Sequence, residues 1–236
     1  MGNPQGTVDR KNNDVKNLGA SLALTPSFRF DPLLSSTVEG EKRIYKEDPL
    51  SLVQRMLLEG AIKLVGRKAP VLIKGKRFAA DCSGTVRAIY YYAGIDLAMD
   101  FYRYEGSGTY RVFKALNSRG LLTVDKYARV GDIIFWDNSY DANSDGKMND
   151  DLTHMAMVTA VYTDGSVDYI HFHYLKGNII ERMNLFLPDV YRKLINGKER
   201  LINSPMRAKA DMSSSHGDWL SSQLFRCYGQ AYLLEN

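Results

Sequence analysis

Residues 81–95 read DCSGTVRAIYYYAGI, and this stretch decides the fold. Its apolar residues recur at helical spacing, with Val86, Ile89 and Ala93 on one face, so the sequence predicts a helix that begins at Cys82. A thiol at the N-terminus of a helix lies at the positive end of the helix dipole, which stabilises a thiolate. We therefore expect the pKa of Cys82 to be lowered, as it is in nucleophilic cysteines.

The composition indicates a globular protein and excludes several other classes. The chain has 236 residues, of which 44% are hydrophobic and 25% are charged. Its net charge of +4 is too small to argue for nucleic acid, so we predict no nucleic-acid partner. The two cysteines, Cys82 and Cys227, exclude a disulfide scaffold. No apolar run is long enough for a transmembrane segment, and the oligomeric state stays open.

Helical patterns come first along the chain and strand patterns follow. The polar start predicts an irregular N-terminal arm over residues 1–46 and a single domain over residues 47–236. A helix is predicted from Asp48-Pro49, with Asp48 as its N-cap, and another over residues 110–120. Strands are predicted at 133–136, 155–162, 167–174, 179–186 and 224–234. Helices followed by antiparallel strands are typical of an α+β domain.

Three of the four histidines fall in two strands that are predicted to pair. Alternation places His171 and His173 on one face, and the hairpin brings His154 close to that face. A cysteine at a helix start with histidines on adjacent strands is the arrangement of a nucleophile, a base and an orienting residue. The alternatives are a structural cysteine with histidines on a half-exposed sheet, or a zinc site, although zinc-ligand spacing is absent.

Four stretches, in this order, resemble the motifs of the NlpC family of cell-wall cysteine peptidases. This family belongs to the papain-like superfamily, which also contains the CHAP amidases. The stretches are DCSGTVRAIYYYAGI at 81–95, VGDIIFW at 130–136, THMAMV at 153–158 and YIH at 169–171. Four motifs in the right order are more specific than any one of them.

The resemblance implies Cys82 as nucleophile, His154 as general base and His171 as the residue that orients His154. It implies a papain-like fold, with N-terminal helices packed on a mostly antiparallel β-sheet. The implied reaction is hydrolysis of a peptide bond in peptidoglycan stem peptides through a thioester, with no required cofactor. It also implies a periplasmic or extracellular location, although no export signal is found in this chain.

The resemblance leaves the substrate and the third catalytic residue open. Asp81, Ser83, Gly84 and His173 are expected to contact the substrate, and Gly84 would permit close approach of its backbone. His173 is the alternative to His171 in the third role. The family tyrosine expected before the nucleophile is missing from residues 69–75. Alternative functions are an amidase or acyltransferase on another amide or ester, and a non-catalytic cell-wall binding module.

An acidic stretch over residues 137–151 carries a pattern typical of calcium loops. Its centre has the D-x-N-x-D-G spacing, in which alternate oxygens converge on one cation. The twelfth position is Leu152 and not glutamate, so the stretch does not match an EF-hand. The alternative is a solvated Asn/Asp-rich turn. The predicted ligands of a structural calcium ion are Asp141, Asn143, Asp145, Asn149 and Asp151, with Asp150 as an alternative to Asp151.

Overall fold

The computed structural model describes residues 49–207 and 217–234. Within those ranges the chain forms three α-helices, ten β-strands and two short 3-10 helices. The α-helices are α1 (Leu52–Leu64), α2 (Cys82–Tyr92) and α3 (Gly108–Asn117), and the 3-10 helices are Phe101–Arg103 and Ala231–Leu233. The strands are β1 (Val71–Ile73), β2 (Lys76–Phe78), β3 (Leu122–Thr123), β4 (Ile133–Trp136), β5 (His154–Val161), β6 (Ser166–His173), β7 (Gly177–Asn184), β8 (Arg192–Ile195), β9 (Lys198–Leu201) and β10 (Phe225–Gly229). The predicted arm over residues 1–46 lies outside the described residues.

Six of the strands form one antiparallel sheet. The strand order is β3-β10-β4-β5-β6-β7, and the pairs β1–β2 and β8–β9 form separate hairpins. All three α-helices precede this sheet along the chain. The separate β1–β2 hairpin lies between α1 and α2. Mixed helix with antiparallel sheet is the predicted α+β class at this level of description. None of the described helices is long and apolar enough to cross a membrane.

The central strands are buried on both faces of the sheet, which explains the unbroken apolar run of β4. On one face the sheet packs against the helices through a core that includes Ile133, Phe135, Met155, Leu57 and Ile89. On the other face a second cluster includes Ile134, Trp136, Tyr169, Leu224 and Tyr228. This double packing fixes the start of α2 and the start of β5, where the predicted nucleophile and base lie.

Several predicted boundaries are confirmed and others are wrong. The helix at Cys82 and the strand over 133–136 match the prediction. The first helix begins at Leu52 with Ser51 as its N-cap, because Ser51 and Gln54 exchange two hydrogen bonds in a capping box. The last strand ends at Gly229, since the chain then turns into a 3-10 helix. The two separate hairpins were not predicted.

Candidate active site

Two helix N-termini meet at Cys82. Asp81 caps α2, since its Oδ1 accepts hydrogen bonds from the Gly84 amide at 2.6 Å and the Ser83 hydroxyl at 2.9 Å. The start of α3 packs directly against this turn, and a Cβ added at Gly108 would lie 2.2 Å from Ser83 Oγ. Exposed Asp81 and half-buried Ser83 border the cysteine, and their contact with substrate stays a prediction.

Gly84 is required by the packing of α2 against the chain that precedes it. The residue is buried, and a Cβ at this position would lie 2.1 Å from the carbonyl oxygen of Ala79. Real Cβ atoms do not approach an oxygen so closely, so only glycine fits. This contact within the protein is a reason for glycine that the sequence did not indicate, and the approach of a substrate backbone to Gly84 stays a prediction.

The thiol of Cys82 is protonated in this environment. Burial raises its pKa, and the charge of Asp81 adds to the effect. The Thr109 hydroxyl and the backbone N–H groups of Met155 and Ser83 act in the opposite direction but do not outweigh burial. The predicted lowering of the Cys82 pKa is therefore wrong, because desolvation of the sulfur exceeds the stabilisation from the helix N-terminus.

Thr109 provides a side-chain hydrogen-bond partner for the thiol. Its Oγ1 lies 3.7 Å from Sγ of Cys82, within hydrogen-bond distance for sulfur. Thr109 is buried near the start of α3, so its position is set by the contact between the two helix N-termini. No sequence pattern pointed to this residue. Cys82 and Cys227 are both free, so no disulfide ties up the thiol.

The two histidines predicted as base and orienting residue are in direct contact. Nε2 of His154 lies 2.9 Å from Nδ1 of His171, and the rings meet edge to face. Trp136 pairs with His154 across β4 and β5, and the centroids of the two rings are 5.8 Å apart. Burial, followed by the nearby His171 and His173, lowers the pKa of His154 well below its ordinary value. His154 is therefore neutral at pH 7 and able to accept a proton.

His173 has a different role in the structure. Its Nδ1 accepts hydrogen bonds from the backbone N–H groups of Leu175 at 3.1 Å and Lys176 at 3.4 Å. Its ring stacks on the ring of Tyr174, with the centroids 5.2 Å apart. The centroid of the His171 ring is 6.4 Å away. His173 thus caps the turn between β6 and β7. Of the two candidates for the third role, His171 is the one bonded to His154.

Glu181 in β7 extends the histidine pair and was missed by the sequence reasoning. Its Oε2 lies 3.2 Å from Nε2 of His171, and the two side chains are only 16% and 6% exposed. The contact has ion-pair distance without ideal hydrogen-bond geometry, and neither atom has a hydrogen-bond partner elsewhere in the described ranges. A charged residue in a half-buried strand next to the histidine strand was the available signal.

The thiol and the imidazole do not form the expected contact. Within residues 49–207 and 217–234 no hydrogen bond joins Cys82 to His154, and Nδ1 of His154 has no hydrogen-bond partner. The link between them runs through the adjacent residue, since the backbone N–H of Met155 acts on the Cys82 thiol. The structure therefore brings the predicted nucleophile and the predicted base to neighbouring backbone positions, without a hydrogen bond between thiol and imidazole.

The acidic stretch is anchored on both sides next to His154. The Ser139 amide donates to Thr153 Oγ1 at 2.9 Å, and the Leu152 amide donates to Asp137 Oδ1 at 2.7 Å. Tyr140 lies between these anchors. Burial raises the pKa of Tyr140, and charge on the nearby Cys82 raises it further. Tyr140 is a second residue near the thiol that sequence reasoning did not identify.

The centre of the acidic stretch is closed by hydrogen bonds to its own backbone. Asp141 Oδ2 accepts from the Gly146 amide at 2.8 Å, and Asn143 Oδ1 accepts from the Asp145 amide at 2.9 Å. Asp151 is directed elsewhere, since its carboxylate lies 3.3 Å from Arg226 Nη1. In the part of the chain that the structure describes, no three His, Cys, Asp or Glu side chains converge to hold a metal. Calcium binding by this loop stays a prediction, and so does the role of Asn149 as one of the ligands.

Comparison with known proteins finds no family model that matches this chain, and no curated protein or solved structure that is significantly similar to it.

Proposed function

We propose that the protein is a papain-like cysteine hydrolase that cleaves a peptide bond in bacterial peptidoglycan. The observation that carries the proposal is the His154–His171 contact of 2.9 Å, formed at the start of β5, where the backbone of the next residue, Met155, contacts the Cys82 thiol. A cysteine at a helix start beside a buried histidine pair has the parts required for acyl transfer. The peptidoglycan substrate is taken from the motif resemblance, and it implies a protein exported to the cell wall.

Glu181 determines which nitrogen of each histidine carries the proton. The Glu181 carboxylate 3.2 Å away attracts a proton and repels a lone pair, so we assign the proton of His171 to Nε2, which faces it. Nδ1 of His171 then accepts from Nε2–H of His154. In neutral His154 this leaves Nδ1 unprotonated. Nδ1 is therefore the nitrogen that serves as the base.

The reaction starts from a neutral thiol and a neutral imidazole, as the opposite pKa shifts of Cys82 and His154 require. As the sulfur adds to the substrate carbonyl, the thiol proton moves to Nδ1 of His154. His154 then protonates the leaving amine, the C–N bond breaks, and a thioester forms on Cys82. Water attacks the thioester while His154 takes its proton, which releases the carboxylic acid and restores the thiol.

Two groups at the helix start assist this sequence. The first-turn N–H of Cys82 has no intrahelical acceptor, so it is available to stabilise the developing oxyanion. Thr109 holds the thiol in the free protein, and the sulfur leaves this hydroxyl for His154 when substrate binds. Catalytic hydrogen bonds are often longer in free enzymes and tighten in the substrate complex.

Digestion of purified peptidoglycan tests the proposal, because each amide hydrolysed releases one new amine. The wild-type protein is expected to release amines, whereas Cys82→Ala and His154→Gln release none above background. Cys227→Ala is the matched control, since it removes the other, buried thiol. Release by Cys82→Ala at the wild-type rate, or no release by folded wild-type protein, would reject the proposal.

A further inference from the structure

Arg87 in α2 and Arg111 in α3 are positively charged side chains without an acidic partner. Neither forms an ion pair or a hydrogen bond with a described residue, and both Nε atoms are buried without a partner. Both guanidinium groups lie over the ring of Phe101, at 4.8 Å for Arg87 and 5.8 Å for Arg111. Two like charges therefore share one aromatic ring.

The acidic groups nearest to this pair are engaged elsewhere. Asp96 pairs with Lys76 at 2.5 Å, Asp100 pairs with Arg119, and Asp81 caps α2. Burial, with a contribution from the neighbouring Arg111, lowers the pKa of Arg87 despite the charges of Asp96 and Asp81. The cluster is thus partly buried, and the carboxylates around it are paired with other groups.

Helix geometry places the pair close to Cys82. Arg87 follows Ser83 by four residues and Arg111 follows Gly108 by three, so each lies on the helix face that starts at the Ser83–Gly108 contact. One helical turn is about 5.4 Å, and an extended peptide advances about 3.3 Å per residue. Arg87 follows Cys82 by five residues, about 7.5 Å along the helix axis. About two residues of an extended substrate span such a distance.

We propose that Arg87 and Arg111 bind a carboxylate group of the substrate, one or two residues from the bond that Cys82 attacks. The planar guanidinium fork matches a carboxylate with two parallel hydrogen bonds. The N-termini of α2 and α3, which meet beside the pair, add positive potential. Assignment of this carboxylate to the substrate rests on the proposed function, whereas binding of an anion at the pair does not.

The competing explanation is that the two arginines only cover Phe101 and keep their charged ends in water. Titration of the wild-type protein with glutarate, followed through the arginine Nε–H resonances by NMR, separates the two. We expect saturable shifts at Arg87 and Arg111, none at exposed Arg55 in α1, and none at any site with the neutral diamide glutaramide. Equal, non-saturable shifts at all three arginines, or equal binding of the diamide, would overturn the proposal.

Lysine substitutions test the guanidinium fork while keeping the charge. Arg87→Lys and Arg111→Lys should each raise the glutarate dissociation constant about tenfold, because a point charge replaces a bidentate donor. Arg55→Lys is the matched control and should leave it unchanged. Unchanged constants in folded Arg87→Lys and Arg111→Lys would reject the site, and the wild-type titration stands even if one variant does not fold.

A comparison of paired substrates tests whether the carboxylate belongs to the substrate. Peptidoglycan fragments with free carboxylates should be cleaved with a higher kcat/KM than the same fragments amidated. Arg111→Lys should raise KM for the first set only. Equal cleavage of both sets would contradict this assignment. If neither set is cleaved, the proposed function fails, while the glutarate titration still decides the anion site.

Discussion

Nε2 of His171 lies 3.2 Å from Oε2 of Glu181, and this contact connects β7 to the histidine pair. The opposite side of the His171 ring bonds to His154 at 2.9 Å. Three consecutive strands, β5, β6 and β7, thus supply His154, His171 and Glu181. Because the antiparallel register of β6 and β7 fixes Glu181 opposite Tyr169, the sheet sets the orientation of His154, the proposed base.

Glu181→Gln should reduce kcat without preventing folding. A glutamine amide can donate as well as accept, so it no longer fixes the proton of His171 on Nε2. We expect a loss of about tenfold to a hundredfold, a part of the 10²–10⁴ that general acid–base catalysis contributes. The pH profile of kcat should shift too, which a purely structural residue would not cause. Glu199→Gln, which removes the exposed partner of Arg192, is the control and should change neither.

Alkylation by iodoacetamide should report a neutral thiol at Cys82. Because its pKa is raised above the ordinary value, the thiolate fraction grows only as the pH rises beyond that value. The alkylation rate should be low at pH 6 and increase through the alkaline range. Thr109→Val should slow the reaction further, since the hydroxyl that favours the thiolate is lost. A rate that is already high and constant below pH 7 would instead indicate a preformed thiolate–imidazolium pair.

Asp132→Asn should make the protein more stable at high pH relative to the wild type. Burial raises the pKa of Asp132 from 3.8 to about 7, so ionisation destabilises the folded state as the pH rises through that window. Its Oδ1 is buried without a hydrogen-bond partner in the described ranges. The relative gain should grow from pH 4 to pH 7, by up to about 4 kcal/mol, and then level off.

Chemical denaturation between pH 4 and pH 9 measures this difference. Exposed Asp125→Asn is the matched control and should show a small effect that is independent of pH. A stability difference for Asp132→Asn that is constant between pH 4 and pH 7 would contradict the pKa assignment.

Gly84→Ala should destabilise the protein strongly. The new Cβ would lie 2.1 Å from the Ala79 carbonyl oxygen, and the obstacle is backbone that cannot rotate away. We expect a loss at or above the upper end of the 1–3 kcal/mol that overpacking costs. Ser83→Ala, one residue earlier, should cost far less in the same thermal denaturation assay. Equal melting temperatures for the two variants would contradict the account of this turn.

The parts of the fold that local sequence specifies were predictable. The helix at Cys82 has an N-cap at Asp81 and a periodic apolar face, and β4 is a short apolar run, so both boundaries were found. Ser51 was overlooked as the N-cap of α1, since Asp48-Pro49 offers a similar pattern three residues earlier. The three-residue strands β1 and β2 are too short to show periodicity.

In the candidate site too, features that local sequence specifies were predictable, and features that depend on the tertiary fold were not. Alternation placed His171 on the face that His154 reaches, but the contact with Glu181 depends on the register between β6 and β7. Thr109 comes from a helix that meets Cys82 only in the folded protein. The charge state of the thiol was mispredicted because a helix N-terminus can be recognised in sequence, whereas burial of the sulfur cannot.

Mass spectrometry of the intact protein, quenched with acid during turnover of peptidoglycan fragments, tests the central claim most directly. The account predicts a mass increase equal to the acyl half of the cleaved peptide. Peptide mapping should locate it at Cys82, and hydroxylamine should release it. Cys82→Ala should carry no adduct and cleave nothing. Cleavage by Cys82→Ala with no adduct on the wild-type protein would contradict a cysteine hydrolase.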